Sequence, residues 1–292
     1  MLKKTGETNA SMNKNLSIGF IGAGNMAWAI IGALVKSEVL PPKNIIASDI
    51  AVERLELAEK EFGVTTTQDN AQVFAKSNAV VLAVKPQFLP EVLENLAASP
   101  EFPGEGRKLI ISIAAGVGCA KMEDILYTGL DEDAKSRLPI VRVMPNTPAL
   151  VGQGMAGMAA NAYTAEEDRL TAQTIMDAAG KALWFDEKDI NGVTALSGSG
   201  PAYVFYLAEA MVRGGVEAGL PEDKALAMAI QTIKGAALLM EETGEAPGLL
   251  RKKVTSKGGT TAAALTVFHE NKVLEAIVKG MLAAKKRGEE LG

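Results

Sequence analysis

From residue 16 onward, short apolar runs of β-type residues alternate with stretches that carry helix-forming residues at helical spacing. That alternation is the pattern of parallel βαβ units. Strands are expected at 16–21, 44–48, 64–66, 79–84, 109–113 and 140–143, with helices such as 52–62 and 91–98 between them. A further helix at about 165–179 and a short strand at 182–185 follow, and the strand is expected to join the same sheet.

Near Ile190 the pattern changes: Ala, Met, Leu and Glu take over, β-branched runs become rare, and the remainder is expected to be all helix. The expected domains are 16–189 and 190–292, after a polar lead-in at 1–15 that reads as disordered. Pro201 suits the first turn of a helix reaching about Ala218, and Pro221 opens a second that reaches about Glu242. Within the first, PAYVFYLAEAMV is apolar around nearly its whole circumference and has to be covered on all sides. A domain of about a hundred residues offers few places to bury such a helix, so a second subunit is expected to cover it.

Composition then limits the chemistry. Of 292 residues, 48% are hydrophobic and 22% charged, as in a globular protein. Thirty Lys and Arg against thirty-five Asp and Glu leave a net charge of −5, which gives no footprint for nucleic acid. Cys119 is the only cysteine and His269 the only histidine, which precludes an intrachain disulfide and a Cys/His zinc cluster. No metal is expected, and no Ser-His-Asp triad can form without His269. The opening MLKKTGETNASMNKN has no apolar h-region, and Met12 is a second candidate start. No run approaches about eighteen apolar residues, so no membrane segment is expected, and with a single cysteine the sequence reads as cytoplasmic.

Gly22-Ala23-Gly24-Asn25-Met26-Ala27 follows the first strand, opens a helix and fits G-x-G-x-x-A. Gly22 would make a turn closed to side chains, Gly24 would let a diphosphate approach the backbone, and Ala27 would let helix and strand pack closely. The helix N-terminus would then bind the phosphates. Asp49, just past the second strand, has two readings: acceptor for the ribose 2′-OH of NAD, or N-cap of the next helix. Ser48 and Arg54 could instead meet the 2′-phosphate of NADP, which leaves the choice of cofactor open.

Two strand ends carry polar residues and proline: Ala83-Val84-Lys85-Pro86-Gln87 and Arg142-Val143-Met144-Pro145-Asn146-Thr147-Pro148. At the carboxyl ends of a parallel sheet such loops face the nicotinamide half of the cofactor; otherwise they are plain Pro-terminated loops. Ser197-Gly198-Ser199-Gly200-Pro201 reads as a helix cap. In Val254-Thr255-Ser256-Lys257-Gly258-Gly259-Thr260-Thr261 a Gly-rich turn feeds a helix. Its free N–H groups and hydroxyls would suit phosphate or carboxylate, unless the turn merely links two helices.

In order along the chain, Gly22-Ala23-Gly24-Asn25-Met26, AVKP at 83–86, RVMPNTPA at 142–149, LSGSGPAYVF at 196–205 and VTSKGGTT at 254–261 resemble the Δ1-pyrroline-5-carboxylate reductase family, as does the closing RGEELG. The resemblance runs from about Leu16 to Gly292 and departs at Lys257, where the family's SPGGTT turn has Pro. It implies an α/β fold, with an N-terminal Rossmann-type doubly wound sheet followed by an all-helical dimerisation domain. It further implies reduction of 1-pyrroline-5-carboxylate to L-proline by NADPH, with NADH also used, in homo-oligomers built from dimers and commonly decameric.

A cyclic imine nitrogen takes up a proton more readily than a ketone oxygen, so such an enzyme can work without histidine. By resemblance, Ser256, Gly258, Gly259, Thr260 and Thr261 hold the substrate carboxylate, and the Thr261 hydroxyl serves the ring nitrogen as proton donor or orienter. The cofactor set is Gly22, Gly24, Asn25, Met26, Ser48, Asp49, Asn70, Ala83, Val84, Lys85 and Pro86, and His269 is expected to be structural. Short-chain dehydrogenases are excluded, because none of Tyr127, Tyr163, Tyr203 or Tyr206 has Lys four residues on. β-Hydroxyacid dehydrogenases would need a Lys that 201–210 lacks, and a dinucleotide sensor would not need the turn with Thr261.

Overall fold

A computed structural model describes residues 16–291; the expected lead-in at 1–15 lies outside the described residues. Six strands are parallel: β1 (Ile18–Ile21), β2 (Ile45–Ser48), β3 (Thr65–Thr67), β4 (Ala79–Leu82), β5 (Leu109–Ser112) and β6 (Ile140–Met144). β7 (Gly154–Ala160) runs antiparallel to β6, and β8 (Gly180–Trp184) runs parallel to β7. The sheet order is β3-β2-β1-β4-β5-β6-β7-β8. The chain therefore leaves β1 toward one edge and returns to its other side at β4, which opens a crevice at the carboxyl ends of β1 and β4.

Every residue of β1, β2, β4 and β5 is buried, which is why these strands read as unbroken apolar runs. Alternate side chains face opposite layers. Ile18, Phe20 and Val81 pack with α1 (Asn25–Lys36), α2 (Val52–Phe62) and, after further helices, α7 (Glu166–Asp177). Ile21, Val80 and Leu82 pack with α3 (Asn70–Lys76), α4 (Leu89–Ala97) and α5 (Cys119–Leu126). Each fully buried Leu or Ile contributes on the order of 1.5–3 kcal/mol. A short α6 (Glu132–Ser136) precedes β6.

The pattern did not announce β7, whose sequence GMAGMAA has no β-branched residue. Its small residues answer to packing. A Cβ on Gly157 would lie 2.5 Å from Val193, and β8 begins so close by that a Cβ on Gly180 would lie 2.0 Å from the Gly154 carbonyl oxygen. β4 also stops two residues short of its expected end, because Ala83 and Val84 turn toward the loop after β1.

The chain folds as two compact units, one of the described residues up to Gly198 with those from Lys285 on, the other Ser199–Ala284. In the first, α8 (Ile190–Val193) runs into a π-turn, Thr194–Gly198. The second holds α9 (Gly200–Glu217), α10 (Glu222–Thr243), α11 (Pro247–Lys253), α12 (Thr260–Glu270) and the start of α13 (Val273–Leu291). Pro201 stands in the first turn of α9, and Pro221 directly precedes α10. Among the described residues, no helix is long and apolar enough to cross a membrane.

Candidate functional site

The turn after β1 is built around glycine. Gly22 has φ +100 and donates its N–H to the Ser48 carbonyl at 2.8 Å, and a Cβ there would lie 2.8 Å from the Ala83 carbonyl. Conformation and space both exclude a side chain. The Ala83 N–H donates to the Ile21 carbonyl at 2.8 Å, which sets half-buried Ala83 and Val84 beside the turn. Lys85 follows, exposed, with Pro86 opening a 3-10 turn.

Gly24 caps α1 without any side-chain bond, and the first turn holds no acid. The N–H groups of Asn25, Met26 and Ala27 have no backbone acceptor, so they point free from a helix N-terminus. Only the Arg54 Nη1, at 4.0 Å, approaches the place where a Gly24 Cβ would stand. Space and donors together fit the diphosphate of a dinucleotide.

The end of β2 is tied to the same turn. Asp49 Oδ2 accepts from the Ala23 N–H at 2.7 Å and its Oδ1 from the Ala51 N–H at 2.9 Å, while Arg54 Nη1 donates to the Ala23 carbonyl at 3.3 Å. The N-cap of α2 is Ala51, with no side-chain bond, so Asp49 is not the helix cap that one reading allowed. It staples the glycine turn to β2. Buried Ser48 donates its hydroxyl to Asn70 Oδ1 at 2.7 Å.

Around the end of β6, Asn146 Nδ2 donates to the carbonyl and hydroxyl oxygens of Ser197 at 3.2 and 3.3 Å, and its Oδ1 accepts from the Met155 N–H at 2.9 Å. The π-turn is thus fastened to β6 and β7. Buried Arg142 meets Glu187 at 2.9 Å and Asn191 at 3.5 Å. Glu187 also accepts from the Cys119 N–H and thiol. Burial, reinforced by Glu187, pushes the Cys119 thiol up, so it stays protonated and offers no nucleophile. No sequence spacing announces these contacts, since Arg142 and Glu187 stand 45 residues apart. The serine cap expected at 197–201 does not form: Ser199 makes no capping bond, because the π-turn carries the chain directly into α9.

The second cluster lies wholly in the helical unit. Gly259 donates its N–H to the Ser256 carbonyl at 3.1 Å and closes a four-residue turn in which Gly258 has φ +73. A Cβ on Gly259 would lie 2.4 Å from the Ser256 hydroxyl. Gly259 is the N-cap of α12, and the N–H groups of Thr260, Thr261 and Ala262 have no backbone acceptor. With the Gly259 N–H engaged inside the turn, the free donors run from Thr260 to Ala262. Three such donors at a helix N-terminus can take an anion, an anion seat with half-buried Thr261 at its centre. His269 sits eight residues further along α12, about 12 Å by helical rise, and is exposed.

The family model described as pyrroline-5-carboxylate reductase dimerisation matches residues 187–291, and one described as NADP oxidoreductase, coenzyme F420-dependent, matches 17–116. The pyrroline-5-carboxylate reductase of Vibrio alginolyticus is 41% identical over 276 residues, which is 94% of this chain and 97% of that protein. The one of Arabidopsis thaliana is 38% identical over 95% of this chain and 96% of its own length. Among solved structures, a pyrroline-5-carboxylate reductase from Coxiella burnetii superposes with a TM-score of 0.86 at 37% identity, covering 95% of this chain and 99% of that one. The Plasmodium falciparum pyrroline carboxylate reductase, solved with NADP bound, gives 0.82 at 28% identity, covering 96% and 99%.

Proposed function

The chain belongs to the pyrroline-5-carboxylate reductase family, and on that premise we propose that it reduces 1-pyrroline-5-carboxylate to L-proline, the last step of proline biosynthesis, with NADPH favoured and NADH also used. The observation that carries the reading is a likeness over nearly the whole chain that includes both clusters, the glycine turn after β1 and the anion seat before α12.

When bound, the reduced nicotinamide supplies a hydride to the imine carbon. The chain's residues do the rest. Gly22 and Gly24 make room for the diphosphate, the N–H groups of Asn25 and Met26 hold it, and Ala83, Val84, Lys85 and Pro86 flank the nicotinamide half. Gly258 and Gly259 shape the second turn, whose Thr260 and Thr261 N–H groups, with the Ser256 hydroxyl, hold the substrate carboxylate. The Thr261 hydroxyl donates to the ring nitrogen, orienting the imine and supporting its protonation, so that hydride on carbon and proton on nitrogen give the secondary amine.

The domain from residue 190 serves substrate binding and dimerisation, in a cytoplasmic homo-oligomer built from dimers that assemble to a decamer. Incubating the purified protein with NADPH and pyrroline-5-carboxylate tests the reading. Loss of NADPH absorbance with equimolar L-proline is expected, and an intact protein that forms no proline overturns it.

A further inference from the structure

We propose that Arg54 is the residue by which this chain tells NADPH from NADH, and that Asp49 is a positioning residue that holds the phosphate-binding turn instead of reading the ribose. The inference rests on the dinucleotide site proposed above.

An acidic residue just past the second strand ordinarily turns outward to accept from the ribose hydroxyls. Asp49 turns inward. Each of its oxygens already accepts an N–H, Oδ2 from Ala23 in the middle of the glycine turn and Oδ1 from Ala51 at the start of α2. Those bonds fix the plane of the carboxylate and place two partial positive charges against it, which weakens its objection to a nearby phosphate. Ser48, the other polar group at this strand end, is fully buried with its hydroxyl on Asn70. Neither of them presents a donor to an adenosine 2′-substituent.

Of the side chains exposed at this edge, Ile50, Val52, Glu53 and Arg54, only Arg54 carries hydrogen-bond donors. Ile50 is 95% exposed and offers an apolar surface that an adenine could cover. Arg54, in the first turn of α2, is exposed, and its Nη1 bonds to the Ala23 carbonyl while standing 4.0 Å from where a Gly24 Cβ would be. One hydrogen bond anchors a guanidinium that carries five N–H donors, so the remaining fork is free to pair with a phosphate. Asp49 and Arg54 also hold the two polar groups of one residue, the N–H and the carbonyl of Ala23. The shape of the turn and the charge at its edge are thereby set by different residues, and mutation can separate them.

The test uses the full chain without imine substrate, so that a wrong substrate assignment leaves it untouched. NADPH and NADH affinities are read by fluorescence titration, and those of adenosine 2′,5′-bisphosphate and 5′-AMP by calorimetry. Arg54→Ala is expected to shrink the preference for NADPH, and for the bisphosphate, by roughly ten- to a hundredfold, the worth of a charge-assisted pair. Arg54→Lys should keep part of it. Asp49→Ser should weaken both dinucleotides by the same factor and leave their ratio unchanged. An unchanged ratio in Arg54→Ala overturns the proposal, as does an Asp49→Ser protein that gains NADPH affinity while losing NADH affinity. Should Asp49→Ser not fold, as judged by its melting curve, the surface variant Arg54→Ala decides alone. Wild-type protein that discriminates adenosine 2′,5′-bisphosphate from 5′-AMP through Arg54 yet makes no proline would refute the proposed function and leave this inference standing.

Discussion

The two units of the chain use their apolar residues in opposite ways. In the first, both faces of the sheet are covered and strand residues such as Ile18, Phe20, Val81 and Ile111 are fully enclosed. In the second, only Ala225 and Ala229 are buried among the described residues, while Phe205 is 61% and Tyr206 76% exposed on α9, and Met228 and Ile230 are exposed on α10. A groove of about 820 Å³ lies along α9 and α10, lined by Phe205, Val212, Val216, Leu226 and Ile230. The lesson concerns where a core comes from. A sheet can be roofed by helices of its own chain, whereas a helix that is apolar all round needs neighbours on every side, and one copy of this unit supplies too few. A second copy is the partner of matching chemistry, as the dimerisation match over 187–291 implies.

The most severe way to break that contrast is a charge in the groove. If a second copy packs in this groove, Phe205→Asp would set an unpaired carboxylate there, at a cost of about 3–5 kcal/mol. A monomer by light scattering and a loss of kcat/KM of roughly a thousandfold are expected. The near-ultraviolet signal and cofactor binding of the first unit should survive. A stable, fully active dimer would show that α9 and α10 face solvent after all.

Next in size is the chemistry proposed for the sparsely buried unit. Thr261→Ala keeps the backbone N–H of the anion seat and removes only the hydroxyl, so KM for the imine should change little while kcat falls by roughly ten- to a thousandfold. Thr261→Ser should recover much of the rate. Wild-type kcat at saturating imine in Thr261→Ala would pass the role to Thr260 or Ser256.

A core substitution in the first unit probes the other side. Leu34 on α1 is fully buried, and Leu34→Ala should cost about 2–5 kcal/mol in a denaturant melt. Because that core belongs to one chain, the loss should be independent of protein concentration. The transition of the helical unit should instead move to higher denaturant as concentration rises, by mass action. Two transitions that respond alike to dilution would erase the distinction between the units.

Much of this architecture was legible in the sequence, for reasons that also explain what was not. The parallel strands β1, β2, β4, β5 and β6 are buried on both faces, and burial of that kind writes itself as consecutive Ile, Val and Leu. Helices α9 and α10 were marked by Pro201 and Pro221. β7 was invisible because its close packing against Val193 and Ala149 selects glycine and alanine, which look like loop or helix. At the candidate site the glycine turns declared themselves, since φ +100 at Gly22 and φ +73 at Gly258 call for glycine. The direction of the Asp49 carboxylate did not, and neither did the bonds from Asn146 to Ser197 or from Arg142 to Glu187. Such pairings depend on which loops the sheet order brings together, and no local spacing encodes that.

The smallest effect is expected at Lys257, where the family pattern has Pro, and it sharpens the contrast because it touches the helical unit at a residue that does not line the α9–α10 groove. The Gly259 N–H to Ser256 carbonyl bond makes Lys257 the second residue of a four-residue turn and Gly258, at φ +73, the third. A positive φ at the third position marks a type II turn, whose second position favours proline. Lys257 is exposed, and its N–H makes no hydrogen bond among the described residues, so nothing is lost when the N–H goes. Lys257→Pro should therefore stabilise the protein by about 0.4–1 kcal/mol, by narrowing the unfolded chain. Gly258→Ala should cost about 1–2 kcal/mol, because alanine resists the left-handed conformation. Both shifts are readable as changes in Tm at fixed concentration. A destabilised Lys257→Pro would mean that the turn depends on the lysine N–H or on a different backbone path, and the anion seat on α12 would then have to be redrawn from Ser256 onward.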